Sequence, residues 1–112
     1  MIFCFDLDNV ICKTNGSDYS SSQPNLDVIK KINKLHDEGN EIIVFTARYM
    51  GRNNSDVNLA IKEGYDSTES QINGWGLKYD KLFFGKPVYD VFVDDKNFEF
   101  KIDWLDRFNK IY

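Results

Sequence analysis

Residues 2 to 11, Ile2-Phe3-Cys4-Phe5-Asp6-Leu7-Asp8-Asn9-Val10-Ile11, constrain the fold more than any other stretch, because an apolar run ends there in two carboxylates. Residues such as Phe, Ile and Val favour a strand, and four apolar side chains in a row predict one buried on both faces at the centre of a parallel sheet. Asp6 and Asp8 share a side of any extended segment, since side chains at i and i+2 point the same way. Like charges held so close call for a cation. Ligands of parallel α/β sheets bind at the carboxyl ends of the strands, which is where this pair falls. Taken alone, the pair is equally a strand exit in which Asn9 caps the next segment.

Three further apolar runs end in polar groups. Glu41 to Phe45 stops at Thr46-Ala47-Arg48, Lys81 to Phe84 stops at Gly85-Lys86-Pro87, and Asp90 to Val93 stops at Asp94-Asp95. Between them, Pro24 is expected to open a helix in which Leu26, Ile29, Ile32 and Leu35 recur at helical spacing until Gly39. His36 then falls in the last turn, where facing the helix dipole is the expected role. Residues 56 to 63 and 67 to 75 read as two short helices broken at Gly64, or one kinked element. A closing helix is expected over 98 to 111. Strands alternating with helices through short connections predict an α/β fold, a three-layer sandwich around a central parallel sheet of Rossmann-like type. Asn15-Gly16 marks a tight turn, so residues 9 to 23 are expected to form a small flap.

With 112 residues the chain supports one packed domain. A net charge of -4 argues against nucleic acid or an acidic membrane as partner. No run approaches the roughly 20 apolar residues of a membrane span, and no leader pattern opens the chain, so a cytoplasmic protein is expected. Cys4 and Cys12 have no CxxC spacing and are expected to be free thiols.

If the topology holds, Asp6, Asp8, Thr46, Lys86, Asp94 and Asp95 meet at one edge of the sheet. Phosphoryl transfer uses such a set. A carboxylate attacks phosphorus and splits one displacement into two, while a hard cation such as Mg²⁺ screens the phosphate charge. A lysine and a hydroxyl bind the equatorial oxygens, and a second carboxylate moves the proton.

The four strand ends resemble, in order, the motifs of the haloacid dehalogenase superfamily of phosphatases, and the resemblance spans nearly the whole chain. Asp6-Leu7-Asp8-Asn9-Val10 is similar to its first motif, Thr46 to the second, Lys86 to the third and Val91-Phe92-Val93-Asp94-Asp95 to the fourth. The resemblance implies a nucleophile at Asp6, a general acid/base at Asp8, phosphate binding by Leu7, Asp8, Thr46, Ala47, Arg48 and Lys86, and Mg²⁺ held by Asp6, the Asp8 backbone carbonyl and Asp94, with Asp95 a direct or water-mediated partner. For Arg48 a surface salt bridge is the competing expectation.

Gly85-Lys86-Pro87 followed by Asp90-Val91-Phe92-Val93-Asp94-Asp95 is similar to the short phosphatases of capsule and surface-polysaccharide biosynthesis. The intervals between motifs leave no room for a cap domain. An open site of that kind suits a bulky substrate or a neighbouring subunit that closes the pocket, so a homo-oligomer is one expectation. The substrate class implied is a small phosphorylated metabolite, a sugar, polyol or amino-alcohol phosphate. A response-regulator switch domain also groups carboxylates, Thr and a Lys-Pro pair, but there a lone phospho-acceptor precedes the lysine and no acidic pair follows it. A DxD glycosyltransferase fragment would need a longer chain, and a catalytically silent binding relative would not need all four motifs.

Overall fold

A computed structural model describes residues 1 to 112. The chain forms five strands and three α-helices in the order β1 (Ile2–Asp6), β2 (Cys12–Lys13), β3 (Gln23–Pro24), α1 (Leu26–Asp37), β4 (Glu41–Thr46), α2 (Val57–Gly74), β5 (Lys81–Phe84) and α3 (Trp104–Ile111). It is an α/β fold. Strands β1, β4 and β5 make a parallel sheet in that order, with Phe3 beside Ile42, Phe5 beside Val44, and Thr46 beside Phe84.

Burial alternates along each strand, and this corrects the expectation of strands buried on both faces. Phe3, Phe5, Ile42, Val44, Thr46, Leu82 and Phe84 form one buried row and join the helices' apolar residues in a single core. The opposite row is open. Ile2 and Phe83 are 66% and 48% exposed, Cys4 is exposed as well, and Ile43 and Phe45 are half-buried. Apolar residues in this chain thus occupy both faces while only one is closed, so composition alone could not show the difference.

Helix α1 starts two residues later than expected, at Leu26. Pro24 pairs with Cys12 in the antiparallel β2–β3 ribbon, and Asn25 caps the helix by accepting the Val28 N–H at 3.2 Å. Gly39, at φ +94, lies just beyond its end. Helix α2 is one continuous element over 18 residues, capped by Asp56, whose carboxylate accepts the Asn58 and Leu59 N–H groups. Gly64 does not break it. The ring of Tyr49 lies against this glycine, and a Cβ there would stand 1.9 Å from Tyr49 Cε2, so the residue that reads as a breaker makes room for a neighbour.

Two expectations fail at the C-terminal side. Residues 90 to 93 form no strand, and Val91 and Val93 are 79% and 90% exposed. Helix α3 begins at Trp104, later than position 98, and its Phe108 packs edge-on against Phe3 and Phe5 of β1, with ring centroids 5.8 and 5.9 Å away. The flap expected over 9 to 23 contains the β2–β3 ribbon, and its turn is closed by Asp18 N–H donating to Asn15 C=O at 3.0 Å, with Gly16 at φ +55. No helix is long and apolar enough to cross a membrane.

Candidate active site

Parallel pairing brings the carboxyl ends of β1, β4 and β5 to one edge, and this places Asp6, Thr46 and the Gly85-Lys86 turn together. Lys86 N–H donates to Thr46 C=O at 3.2 Å, continuing the β4–β5 contact past the strand. The Lys86 ammonium reaches over β4 to Asp6, with Nζ 3.2 Å from Oδ2. Asp6 Oδ1 accepts the Leu7 N–H at 2.8 Å, so the Leu7 amide expected to bind phosphate is engaged with the nucleophile candidate itself.

Burial raises the Asp6 carboxyl above its ordinary value of 3.8, and Lys86 together with the Leu7 N–H opposes that rise. On Lys86 burial works to lower the value, but the attraction of Asp6 and contacts with Tyr89 raise it overall above 10.5. Both partners therefore sit above their ordinary values. Desolvation outweighs the pair on the carboxylate and not on the ammonium, whose side chain also lies 5.5 Å from the Tyr89 ring centroid.

Asp8 is built into a different network. Thr14 Oγ1 donates to Asp8 Oδ1 at 2.6 Å, and Arg48 grips the carboxylate through Nη2 at 2.9 Å and Nε at 3.0 Å. Arg48 is 2% exposed, which corrects the expectation of a surface salt bridge: its partner is the Asp8 carboxylate, inside the site. Its remaining donors go to Gln71 Oε1 at 2.7 Å, Thr68 Oγ1 at 3.5 Å and Ser22 Oγ at 3.3 Å. Thr46, fully buried, accepts the Arg48 N–H through Oγ1 at 3.1 Å, so its hydroxyl lies in the same network. Ala47 is half-buried, and its C=O accepts the Met50 N–H. Cys12 is a free, buried thiol beside Asp8 and Thr14, raised by burial. Thr14, Ser22, Thr68 and Gln71 carry no sequence signal of their own, because hydroxyls and amides in loops and helices are common.

The metal set does not assemble as expected. Asp94 and Asp95 are exposed, and Asp94 closes a turn by accepting the Lys96 N–H at 2.9 Å, which is the behaviour of a loop aspartate. Asp94 does lie near enough to raise the Cys4 thiol electrostatically, behind the larger effect of desolvation and the opposing charge of Lys86. No group of three or more His, Cys, Asp or Glu side chains is placed to hold an ion. The residues as arranged do not fit Mg²⁺. Asp6 and Asp8 each face a basic side chain instead.

No protein-family model and no curated protein matches this chain. Its fold is similar to the crystal structure of a structural-genomics target (MCSG) from Vibrio cholerae, with a TM-score of 0.80 and 25% identity over 99% of this chain and 98% of that one. The likeness bears on the α/β architecture.

Proposed function

We propose that the chain is a phosphomonoesterase working through an aspartyl-phosphate on Asp6. The observation that carries this reading is the Asp6–Lys86 pair, a carboxylate and an ammonium at 3.2 Å on the carboxyl edge of a parallel sheet. In the first step an Asp6 oxygen forms a bond to phosphorus while the bond to the leaving alcohol breaks, and Asp8 supplies that alcohol's proton. In the second, water attacks the phosphoryl group, the bond to Asp6 breaks, and Asp8 takes a proton from the water. Lys86 offsets charge on the equatorial oxygens through both steps.

Both steps are written on the chain's own side chains, since no three metal-ligating side chains are grouped there. Magnesium dependence still belongs to the proposal, through the resemblance of the four motifs. For an ion to be held, Asp94 or Asp95 would have to approach Asp6. The finer architecture, a three-layer sandwich without a cap, is proposed on the same ground. So is the substrate class, a sugar, polyol or amino-alcohol phosphate of surface-glycan synthesis; a homo-oligomer is proposed because a capless site is open, and a cytoplasmic setting because Cys4 and Cys12 are free thiols.

The test is phosphate release from p-nitrophenyl phosphate and a panel of phosphorylated metabolites, with Mg²⁺ and with EDTA. Steady turnover that Asp6→Asn removes is the expected result, and its loss in EDTA would add Mg²⁺ to the reaction. A single stable phosphorylation by acetyl phosphate without turnover would make the chain a phospho-acceptor switch.

A further inference from the structure

The buried Arg48 gathers more of the site's polar contacts than any other side chain, and its partners come from three separate parts of the chain. Asp8 follows β1, Ser22 belongs to the flap, and Thr68 and Gln71 belong to α2. The flap's Tyr19 covers the guanidinium, its ring centroid 4.8 Å from Cζ. Two further bonds close the circuit. Gln71 Nε2 donates to Tyr19 C=O at 2.7 Å, and Thr14 shares a hydrogen bond with Ser22 at 2.6 Å while donating to Asp8.

We infer that Arg48 is a positioning residue with two linked tasks: it orients the Asp8 carboxylate, and it docks the flap against α2 as a fixed wall of the site. The second task stands on geometry alone, and the first rests on the phosphatase reading. A planar guanidinium can meet a carboxylate along one edge and a side-chain amide along another, which a lysine cannot do from one position. The contacts on Asp8 are unequal. Oδ1 accepts from Thr14 and from two nitrogens of Arg48, whereas Oδ2 accepts from Nε alone. Oδ2 is therefore the oxygen left with acceptor capacity, and the proton in the proposed reaction passes through it. A guanidinium whose donors are all spent on protein groups has none left for a substrate phosphate. This separates the two basic residues of the site by role, with Lys86 facing the phosphoryl group and Arg48 facing the acid/base.

The experiment compares the full chain with Arg48→Lys, Arg48→Met and Gln71→Ala. Trypsin cleavage after the exposed Lys13, read by mass spectrometry, reports flap release, and p-nitrophenyl phosphate kinetics report the reaction. Both Arg48 variants are expected to be nicked after Lys13 at least about tenfold faster, as local opening would allow. Arg48→Lys is also expected to lose roughly a hundredfold in kcat with KM kept within about threefold, the pattern of a misplaced group and not of lost substrate binding. Unchanged nicking overturns the docking role. A raised KM with kcat retained overturns the positioning role and makes Arg48 a phosphate ligand. If the Arg48 variants lose their far-UV circular dichroism, Gln71→Ala carries the test: its nicking is expected to rise about threefold with the fold intact, and no rise overturns the proposal. A wild-type chain that turns over no phosphomonoester would refute the phosphatase reading while the nicking comparison still decides the docking of the flap.

Discussion

Gly64 and Tyr49 occupy one space: a β-carbon on the glycine would stand 1.9 Å from Cε2 and 2.1 Å from Cδ2 of the ring. Tyr49 is itself held at φ +67 and packs against Tyr19 of the flap with ring centroids 4.8 Å apart. Replacing a helical glycine with alanine ordinarily stabilises by about 1 kcal/mol. Here the ring must be displaced, so Gly64→Ala is expected to destabilise by about 1–3 kcal/mol in urea unfolding. In a Tyr49→Ala background the same change should become neutral or stabilising. Additive effects in that cycle would show that the two side chains do not compete.

Asp6 sets the acid limb of the rate profile. The nucleophile must be ionised, and burial holds its carboxyl above the ordinary 3.8 against the pull of Lys86. Activity in kcat/KM is therefore expected to fall on acidification at a higher pH than an exposed aspartate would give. Lys86→Met removes the opposing cation, so the limb should move further upward, and the rate should drop by about 10²–10³. A limb that stays in place in Lys86→Met would mean that another group controls it.

These two sites show what could be read in advance and what could not. The meeting of Asp6 with Lys86 was legible, because apolar runs ending in polar groups become a shared edge once the strands pair in parallel. The surroundings of Arg48 were not. An arginine after a strand reads the same whether it reaches solvent or turns inward, and the deciding partners, Ser22 and Gln71, lie far away in the chain. The same limit applies to strands. Val91-Phe92-Val93, like Ile43-Val44-Phe45, is two β-branched residues and a phenylalanine, yet only the latter pairs, since pairing depends on a neighbouring edge and not on propensity. Gly64 is the converse case, a helix breaker in sequence that α2 absorbs because Tyr49 needs the room.

Phe108 is the residue that fixes α3 to the sheet. It is 5% exposed and meets Phe3, Phe5, Phe98 and Trp104 edge-on, with centroids between 5.4 and 5.9 Å. Truncation leaves a cavity the size of a ring, so Phe108→Ala is expected to cost about 3–5 kcal/mol. Amide exchange should then rise along α3 well before it rises in β4. A loss below about 1 kcal/mol would show that α3 is a peripheral element.

Asp80 stitches β5 to β4 just ahead of the ladder. Its N–H donates to Ile42 C=O at 2.9 Å, and its Oδ2 accepts the Ile42 N–H at 2.8 Å. That backbone bond is the main reason its carboxyl is lowered from 3.8, with His36, 3.3 Å away, and Lys81 adding to the effect against desolvation. A carboxyl whose value is lower in the folded than in the unfolded state contributes stability that is present above the unfolded value and lost as pH falls through the folded one. Asp80→Ala removes both the bond and the titration, so the variant is expected to be less stable than the parent at neutral pH, with the gap closing on acidification below 3.8. Asp80→Asn keeps an acceptor for the Ile42 N–H, so it should fall between the two at neutral pH and lack the parent's acid-dependent loss. Urea midpoints measured across the acid range decide the matter. Curves for Asp80→Ala and the parent that run parallel down to the lowest pH would show that the carboxylate has no part in joining the two strands.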